Sequence, residues 1–319
     1  MKAIIYHDYG SPEVLQCEEI EKPAPADKEV LIKVRAAALN ALDWRMMRGT
    51  PVFLRPMIGG LRKPKITRPG VDLAGQVEAV GREVTQFKPG DEVFGVGRGS
   101  LAEYVCTIED KLALKPANIS FEEAAAIPVA GITALQGLRD KGRIQRGQKV
   151  IIDGASGGVG TFAVQLAKSF GAEVTAVCST AKLDTARSIG ADDAIDYTRE
   201  DFTQSGKRYD LIFAANAYHS IFDYRRALSQ NGIYFMAGGA GIPMLQVMLL
   251  GPLLTLIGRR KFCFLMAKIN TKDLTILGDL HASGKIASVI DKTYPLRDAP
   301  QAFRYLEQKH ARGKLVITL

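Results

Sequence analysis

Residues 151–160 read Ile-Ile-Asp-Gly-Ala-Ser-Gly-Gly-Val-Gly. Glycines at this density permit a tight turn, let backbone N–H groups approach an anion, and allow a helix to lie close against a strand. The run Lys149–Ile152 before them predicts a strand. Gly158–Phe170 after them has apolar positions at helical spacing. A helix N-terminus at Gly158 would offer the positive end of its dipole to a pyrophosphate. Ala155 stands where the first Gly of G-x-G-x-x-G is usual, so the pattern is A-x-G-x-x-G. These residues predict dinucleotide binding; a purely structural turn is the alternative.

The end of the following strand selects the dinucleotide. A free ribose 2′-hydroxyl usually meets an Asp or Glu about 20 residues beyond the glycines. Here the chain reads Val177-Cys178-Ser179-Thr180-Ala181-Lys182, without an acid. A hydroxyl and an ammonium suit a 2′-phosphate, so Ser179 and Lys182 favour NADP(H). Lys182 as a solvated residue in the first turn of a helix is the alternative. Cys178 reads as a small buried hydrophobe rather than a nucleophile.

These motifs need a scaffold. Strand runs at Lys149–Ile152, Glu173–Val177, Ala194–Asp196, Asp210–Phe213 and Gly232–Met236 alternate with helices at Gly158–Phe170 and Lys182–Ile189. Such alternation predicts βαβ units and a parallel sheet. Residues 1–120 differ, with short β-branched runs such as Glu29–Val34 and turns such as Lys88-Pro89-Gly90-Asp91. Ser120 with Glu123 is a capping box opening an Ala-rich helix. From about Val289 the β-rich style returns, ending in Gly313-Lys314-Leu315-Val316-Ile317. The expected organisation is α/β. A dinucleotide-binding domain over 121–288 is flanked by segments 1–120 and 289–319, which together build a second, mostly β domain.

Composition narrows the function. The chain has 319 residues, 42 Lys and Arg against 34 Asp and Glu, and a net charge of +8. The basic residues are scattered, which favours weak non-specific anion attraction over nucleic-acid recognition. Four cysteines lie far apart, arguing against a disulfide scaffold or a cysteine-rich zinc module and for a reducing, cytoplasmic setting. No signal peptide is evident at the N-terminus. Gly232–Gly258 carries no charge, but Pro243 and Gly251-Pro252 interrupt it, so a single spanning helix is not expected. An apolar lid over a lipophilic substrate, a peripheral membrane contact assisted by Arg259, Arg260 and Lys261, and a homodimer interface are open readings of this stretch.

Across its length the sequence resembles the medium-chain dehydrogenase/reductase superfamily, in its zinc-free quinone oxidoreductase branch. The marks are Asn40-Ala41-Leu42-Asp43, Pro69-Gly70-Val71-Asp72-Leu73-Ala74-Gly75, Gly131-Ile132-Thr133-Ala134, the glycine turn, Gly190-Ala191-Asp192-Asp193 with Ile195-Asp196-Tyr197, and Arg312-Gly313-Lys314. The resemblance implies a Rossmann domain, doubly wound on a parallel sheet, with a GroES-like domain made from the flanks. It implies that Ser156, Gly157, Gly158 and Val159 hold the pyrophosphate, and that Ser179, Lys182 and Tyr197 surround the 2′-phosphate. Asn40 and Thr133 would lie near the nicotinamide, with the backbone of Phe264-Leu265 reaching its carboxamide. Zinc-dependent members hold the metal with Cys, a His-Glu pair and a further Cys. The matching places here are Asn40, Val71-Asp72 and Val129, so no metal site is expected.

The implied chemistry is hydride transfer from NADPH to a small, lipophilic, electron-poor acceptor, a quinone or an α,β-unsaturated carbonyl. A hydrogen-bond donor would stabilise the developing enolate. Asn40, Arg45, Tyr218 and Lys268 are candidates, and none is assigned as a catalytic acid. The rivals are a divergent alcohol dehydrogenase and an NADPH-binding redox-sensing or interaction protein with little turnover.

Overall fold

Runs rich in Val, Ile, Leu and Ala become strands β1 (Lys2–Ile5), β3 (Glu29–Leu39), β4 (Asp72–Val80), β5 (Glu92–Val96), β6 (Tyr104–Ile108) and β7 (Leu112–Leu114), while the polar β2 (Gln16–Glu19) is held by antiparallel pairing with β1. The middle of the chain supplies β8 (Lys149–Asp153), β9 (Glu173–Cys178), β10 (Asp193–Asp196), β11 (Tyr209–Ala214), β12 (Leu228–Met236) and β13 (Lys261–Phe264). The tail adds β14 (Ile290–Pro295) and β15 (Lys314–Thr318). This computed structural model describes residues 1–50, 52, 55, 60–239 and 241–319. The chain divides into two units. One comprises Met1–Val129, Ile269–Gly284 and Ser288–Leu319; the other comprises Ala130–Lys268 and Lys285–Ala287.

In the first unit the sheet order is β14-β15-β3-β4-β5-β7, with β6 also on β3. Pairing is antiparallel throughout except between β14 and β15. β3 pairs β6 along Glu29–Lys33 and β15 along Ala36–Leu39. Register shifts against β4, between Leu31 and Ile32 and between Val34 and Ala36, bend the strand so that it serves both partners. Val30, Ile32, Leu73, Val93, Val105, Phe303 and Ile317 fill the core.

Two helices within the 121–288 span expected for the dinucleotide-binding domain belong to this unit instead, and the sequence predicts only the first of them as a helix. Phe121–Ala126 starts at the expected capping box, with the Glu123 amide donating to Ser120 Oγ at 3.1 Å and the Ser120 amide to Glu123 Oε2 at 2.8 Å. Its Ala124, Ala125 and Ala126 are buried, and the helix packs on β3 and β4. Thr271–Ala282 packs on β7, where a Cβ on Gly278 would lie 3.3 Å from Phe94 and Pro116. An apolar helix face carries no mark of which sheet will cover it, so the sequence places the boundaries at 120 and 288 whereas packing places these two helices in the first unit.

The second unit is a six-stranded parallel sheet in the order β10-β9-β8-β11-β12-β13. Strand order reverses between β8 and β11, and in such sheets ligands bind beyond the carboxyl ends of the strands at that reversal. Ile151, Val177, Ile212, Tyr224, Tyr234 and Phe262 form part of the core. Buried Asp153, at the end of β8, accepts a 2.5 Å hydrogen bond from the Tyr224 hydroxyl. The uncharged stretch contains the end of β12 and a helix, Ile242–Leu256, that accommodates Pro252; Ala240 lies outside the described residues. Leu249 and Leu256 are 74% and 84% exposed on it. Among the described residues no helix is long and apolar enough to cross a membrane.

Candidate active site

The glycine turn follows β8 at the sheet's reversal point. Gly154 adopts φ +83°, and a Cβ on Gly160 would stand 2.1 Å from the Gly154 carbonyl oxygen, so both positions require glycine. Gly157, in extended backbone, precedes the helix Gly158–Ser169. The first amides of that helix have no intrahelical acceptor. Ser156, Gly157, Gly158 and Val159 are all partly exposed. The Gly157 amide closes the turn onto the Gly154 carbonyl at 3.2 Å, and the helix amides that follow it, beside a positive helix end, fit a dinucleotide pyrophosphate.

Ser179 and Lys182 follow β9, and Tyr197 follows β10, whose Asp196 lies in register with Cys178. The Lys182 amide donates to the Ser179 carbonyl at 2.9 Å, and the Tyr197 amide to the Cys178 carbonyl at 3.2 Å. The turn after β9 lacks an acid, yet the fold brings in the Asp196 carboxylate from the neighbouring strand. It accepts from the Thr180 hydroxyl and from the Thr198 amide and hydroxyl at 3.0 and 2.7 Å. Those hydrogen bonds, Thr180's foremost, hold Asp196 below the usual carboxylate range. Cys178 is buried, and burial pushes its thiol up to about 11, as suits an inert side chain.

Thr133 is buried in the helix Pro128–Gln136, and Phe264 closes β13. The Gln136 side chain ties these two regions together. It donates to the Lys268 carbonyl at 2.7 Å and accepts from the Lys268 amide at 2.9 Å. The Leu265 amide donates to the Met236 carbonyl at 2.9 Å. The Tyr218 ring lies 5.8 Å from Tyr197 and 4.3 Å from His219. Partial burial raises its phenol well above the ordinary value, so it remains a donor at neutral pH.

In the first unit Asn40 follows β3, caps the helix Ala41–Arg48 and is part of a polar cluster. Its Nδ2 donates to Asp72 Oδ2 at 2.9 Å, and Lys314 Nζ donates to Asn40 Oδ1 at 2.7 Å and to Asp72 Oδ2 at 2.9 Å. The Val129 amide donates to the other Asp72 oxygen at 3.1 Å. The Asn40 amide donates to Asp43 Oδ2 at 2.7 Å. Asp43 lines a cavity of about 530 Å³ together with Tyr6, Lys65, Arg68, Val71 and Arg98. Burial pushes its carboxyl up to about 7, with Asp72 adding to the rise and the Asn40 amide opposing it.

Sequence reasoning named Asn40 but missed Lys314, Asp72 and Asp43 as its surroundings. A signal was present: a charged residue opens each of two strands directly before an apolar run, Asp72 before Leu73-Ala74-Gly75 in β4 and Lys314 before Leu315-Val316-Ile317 in β15.

Zinc-dependent chemistry can be tested against this cluster. Zinc favours about four sulfur, nitrogen or carboxylate ligands in tetrahedral array. Here the corresponding positions offer an amide, a valine, a carboxylate and a backbone N–H, with the Lys314 ammonium bonded to two of them. A dication would have to displace that ammonium. These residues do not fit zinc.

Comparison with known proteins agrees with the architecture. A family model described as "Alcohol dehydrogenase GroES-like domain" matches residues 26–117, and one described as "Zinc-binding dehydrogenase" matches 189–317. The 2-methylene-furan-3-one reductase of Solanum lycopersicum is 38% identical over 99% of this chain and 79% of its own. The quinone oxidoreductase from Coxiella burnetii superposes with TM-score 0.89 at 29% identity, covering 100% of this chain and 99% of that one. The Escherichia coli quinone oxidoreductase complexed with NADPH gives TM-score 0.83 at 27% identity, covering 100% of both chains. The chain belongs to the medium-chain dehydrogenase/reductase superfamily, in its quinone oxidoreductase branch.

Proposed function

We propose that this protein is an NADPH-dependent, zinc-independent reductase of quinones or α,β-unsaturated carbonyls. The observation that carries the reading is the glycine cradle at the reversal point of the second unit's sheet, in a chain whose relatives include reductases of these classes. Bound NADPH would supply the hydride. Ser156–Val159 would hold the pyrophosphate, while Ser179, Lys182 and Tyr197 would surround the 2′-phosphate. Thr133 and the Phe264-Leu265 backbone would orient the nicotinamide, with Tyr218 contributing to the wall beside Tyr197.

By resemblance Asn40 meets the cofactor or acceptor, and its carboxamide can donate a hydrogen bond as negative charge develops on the acceptor oxygen. Asp43 adds a proton store at the cavity wall, since a carboxyl near 7 is partly protonated at neutral pH. The acceptors are already polarised, so no Lewis acid is required. The exposed apolar helix Ile242–Leu256 supports a lipophilic acceptor and, with Arg259 and Lys261 at its end, a peripheral membrane contact. A homodimer and a cytoplasmic setting complete the reading, the latter supported by free cysteines at 17, 106, 178 and 263.

The test is NADPH consumption by purified protein with a panel of quinones and enones, with and without a zinc chelator. Turnover unchanged by chelator supports the proposal. Binding without turnover on any acceptor would favour a redox-sensing role, and loss of activity on chelation would return zinc to the account.

A further inference from the structure

We propose that Lys314 and Asp72 act as a clamp that fixes which end of the Asn40 carboxamide is offered to a bound ligand, making them positioning residues for the reductase reaction. The sheet brings the three together. β15 and β4 both flank β3, with Leu315 opposite Leu39 and Asp72 opposite Ala38. The ends of three neighbouring strands therefore converge on one edge, and each contributes one polar side chain.

The chemistry of the three groups leaves one arrangement. A lysine ammonium can only donate hydrogen bonds, an ionised carboxylate can only accept them, and a carboxamide has one end of each kind. With Oδ1 on Lys314 and Nδ2 on Asp72, every contact pairs a donor with an acceptor. Turned over, the amide would set N–H against ammonium and carbonyl oxygen against carboxylate. Water cannot relieve that mismatch, because the Lys314 and Asp72 side chains are 2% and 0% exposed.

The clamp uses one of the two Nδ2 hydrogens and leaves the other as a donor of fixed direction. It also polarises that donor, since an ammonium on the carbonyl oxygen strengthens the N–H groups of the same amide. The Asn40 backbone is pinned separately by its amide's bond to Asp43. Asn40 is partly exposed while its two partners are closed off, so the uncommitted end of this amide is the part of the cluster that can meet a ligand.

This inference rests on the reading of Asn40 as a ligand-contacting residue, and its test separates the two. The first readout needs no cofactor: hydrogen exchange of the Asn40 side-chain amide, followed by NMR of the apo protein. A clamped Nδ2 hydrogen should exchange about tenfold or more slowly relative to the Lys314→Met/Asp72→Asn variant. Equal rates would overturn the clamp. That variant removes both charges, so no buried ion is left unpaired and folding is expected.

The second readout is a double-mutant cycle on kcat, KM and NADPH affinity. Lys314→Met should lower kcat about ten- to a hundredfold with KM changed less than about twofold, as for other residues that orient a reacting group. In an Asn40→Ala background the same change should add less than about twofold, because the group it orients is gone. Losses that multiply would show that Lys314 acts independently of Asn40. If Lys314→Met does not fold, the paired variant takes its place in the cycle, and an unchanged kcat there overturns the proposal. Protected exchange together with an Asn40→Ala variant of unaltered kcat, KM and NADPH affinity would leave the clamp in place and remove its catalytic role.

Discussion

Lys314 and Asp72 stand 242 positions apart in the chain, yet their charges meet at 2.9 Å in the interior of the first unit. Such a pair is a weak source of net stability, because desolvation offsets most of the attraction. Its asymmetry is the important property. Removing one partner leaves the other charge buried and uncompensated.

Stability should therefore respond to the two charges as a unit. Lys314→Met or Asp72→Asn alone is expected to cost about 3–5 kcal/mol, whereas the double replacement should recover most of that loss. Denaturant titrations of the three variants measure the coupling. Additive losses would mean that the two side chains do not share one network.

The pH dependence follows from two buried carboxyls. Burial pushes Asp43 and Asp153 each up to about 7, against ordinary values near 4 in an unfolded chain. Between those values the folded protein keeps protons that the unfolded chain has released. Their contribution is fully present below about pH 4 and is lost as pH rises through about 7. Asp196, held low by its hydrogen bonds to Thr180 and Thr198, works in the opposite sense, losing its contribution in acid. Urea unfolding at about pH 5 and about pH 8 should show a smaller loss between the two for Asp43→Asn than for wild type. An identical loss would show that the Asp43 carboxyl ionises normally.

The glycine cradle makes a sharper prediction. A serine at 160 would force its Cβ to within 2.1 Å of the Gly154 carbonyl, a backbone atom that cannot swing aside. Gly160→Ser should abolish measurable NADPH binding in calorimetry, while the first unit, which does not contain it, keeps its fold. Tight binding by this variant would contradict the assignment of the turn.

Cofactor preference tests the residues after β9. Charge-assisted hydrogen bonds contribute about 1.5–3 kcal/mol each, so Lys182→Ala should weaken NADPH about ten- to a hundredfold and leave NADH nearly unchanged. Ser179→Asp should narrow or invert the preference by adding repulsion. Dissociation constants for both cofactors decide it; an equal drop for both would show that Lys182 does not meet the 2′-phosphate.

Much of this architecture was legible in the sequence. The strands β8 to β11 are short runs that each contain β-branched residues, and helices at Gly158–Ser169 and Leu183–Ser188 separate the first three, so a parallel sheet follows from crossover geometry; β13, Lys-Phe-Cys-Phe, carries no such signal. The glycine turn was readable because its residues are contiguous. The Asn40 cluster was not, because Asp72 and Lys314 become neighbours of Asn40 only through strand pairing across 32 and 274 positions. The place of Asp196 at the turn after β9 is hidden for the same reason, since register rather than sequence brings it beside Cys178. The placement of the helix Thr271–Ala282 in the first unit is not legible in the sequence, because its partners on β7 lie more than 150 positions earlier.

The exposed helix Ile242–Leu256 can be tested by Leu245→Ser with Leu249→Ser. A lid over a lipophilic acceptor predicts a raised KM for long-chain enones and an unchanged one for short-chain enones. A membrane contact predicts lost co-sedimentation with anionic vesicles instead.

The central claim is hydride transfer from NADPH to an electron-poor acceptor without metal, and steady-state NADPH oxidation measures it most directly. The account predicts saturable turnover with at least one quinone or enone, unaffected by chelator and lowered in Asn40→Ala. Saturable NADPH binding with no turnover on any acceptor, or activity that disappears when zinc is stripped, would contradict it.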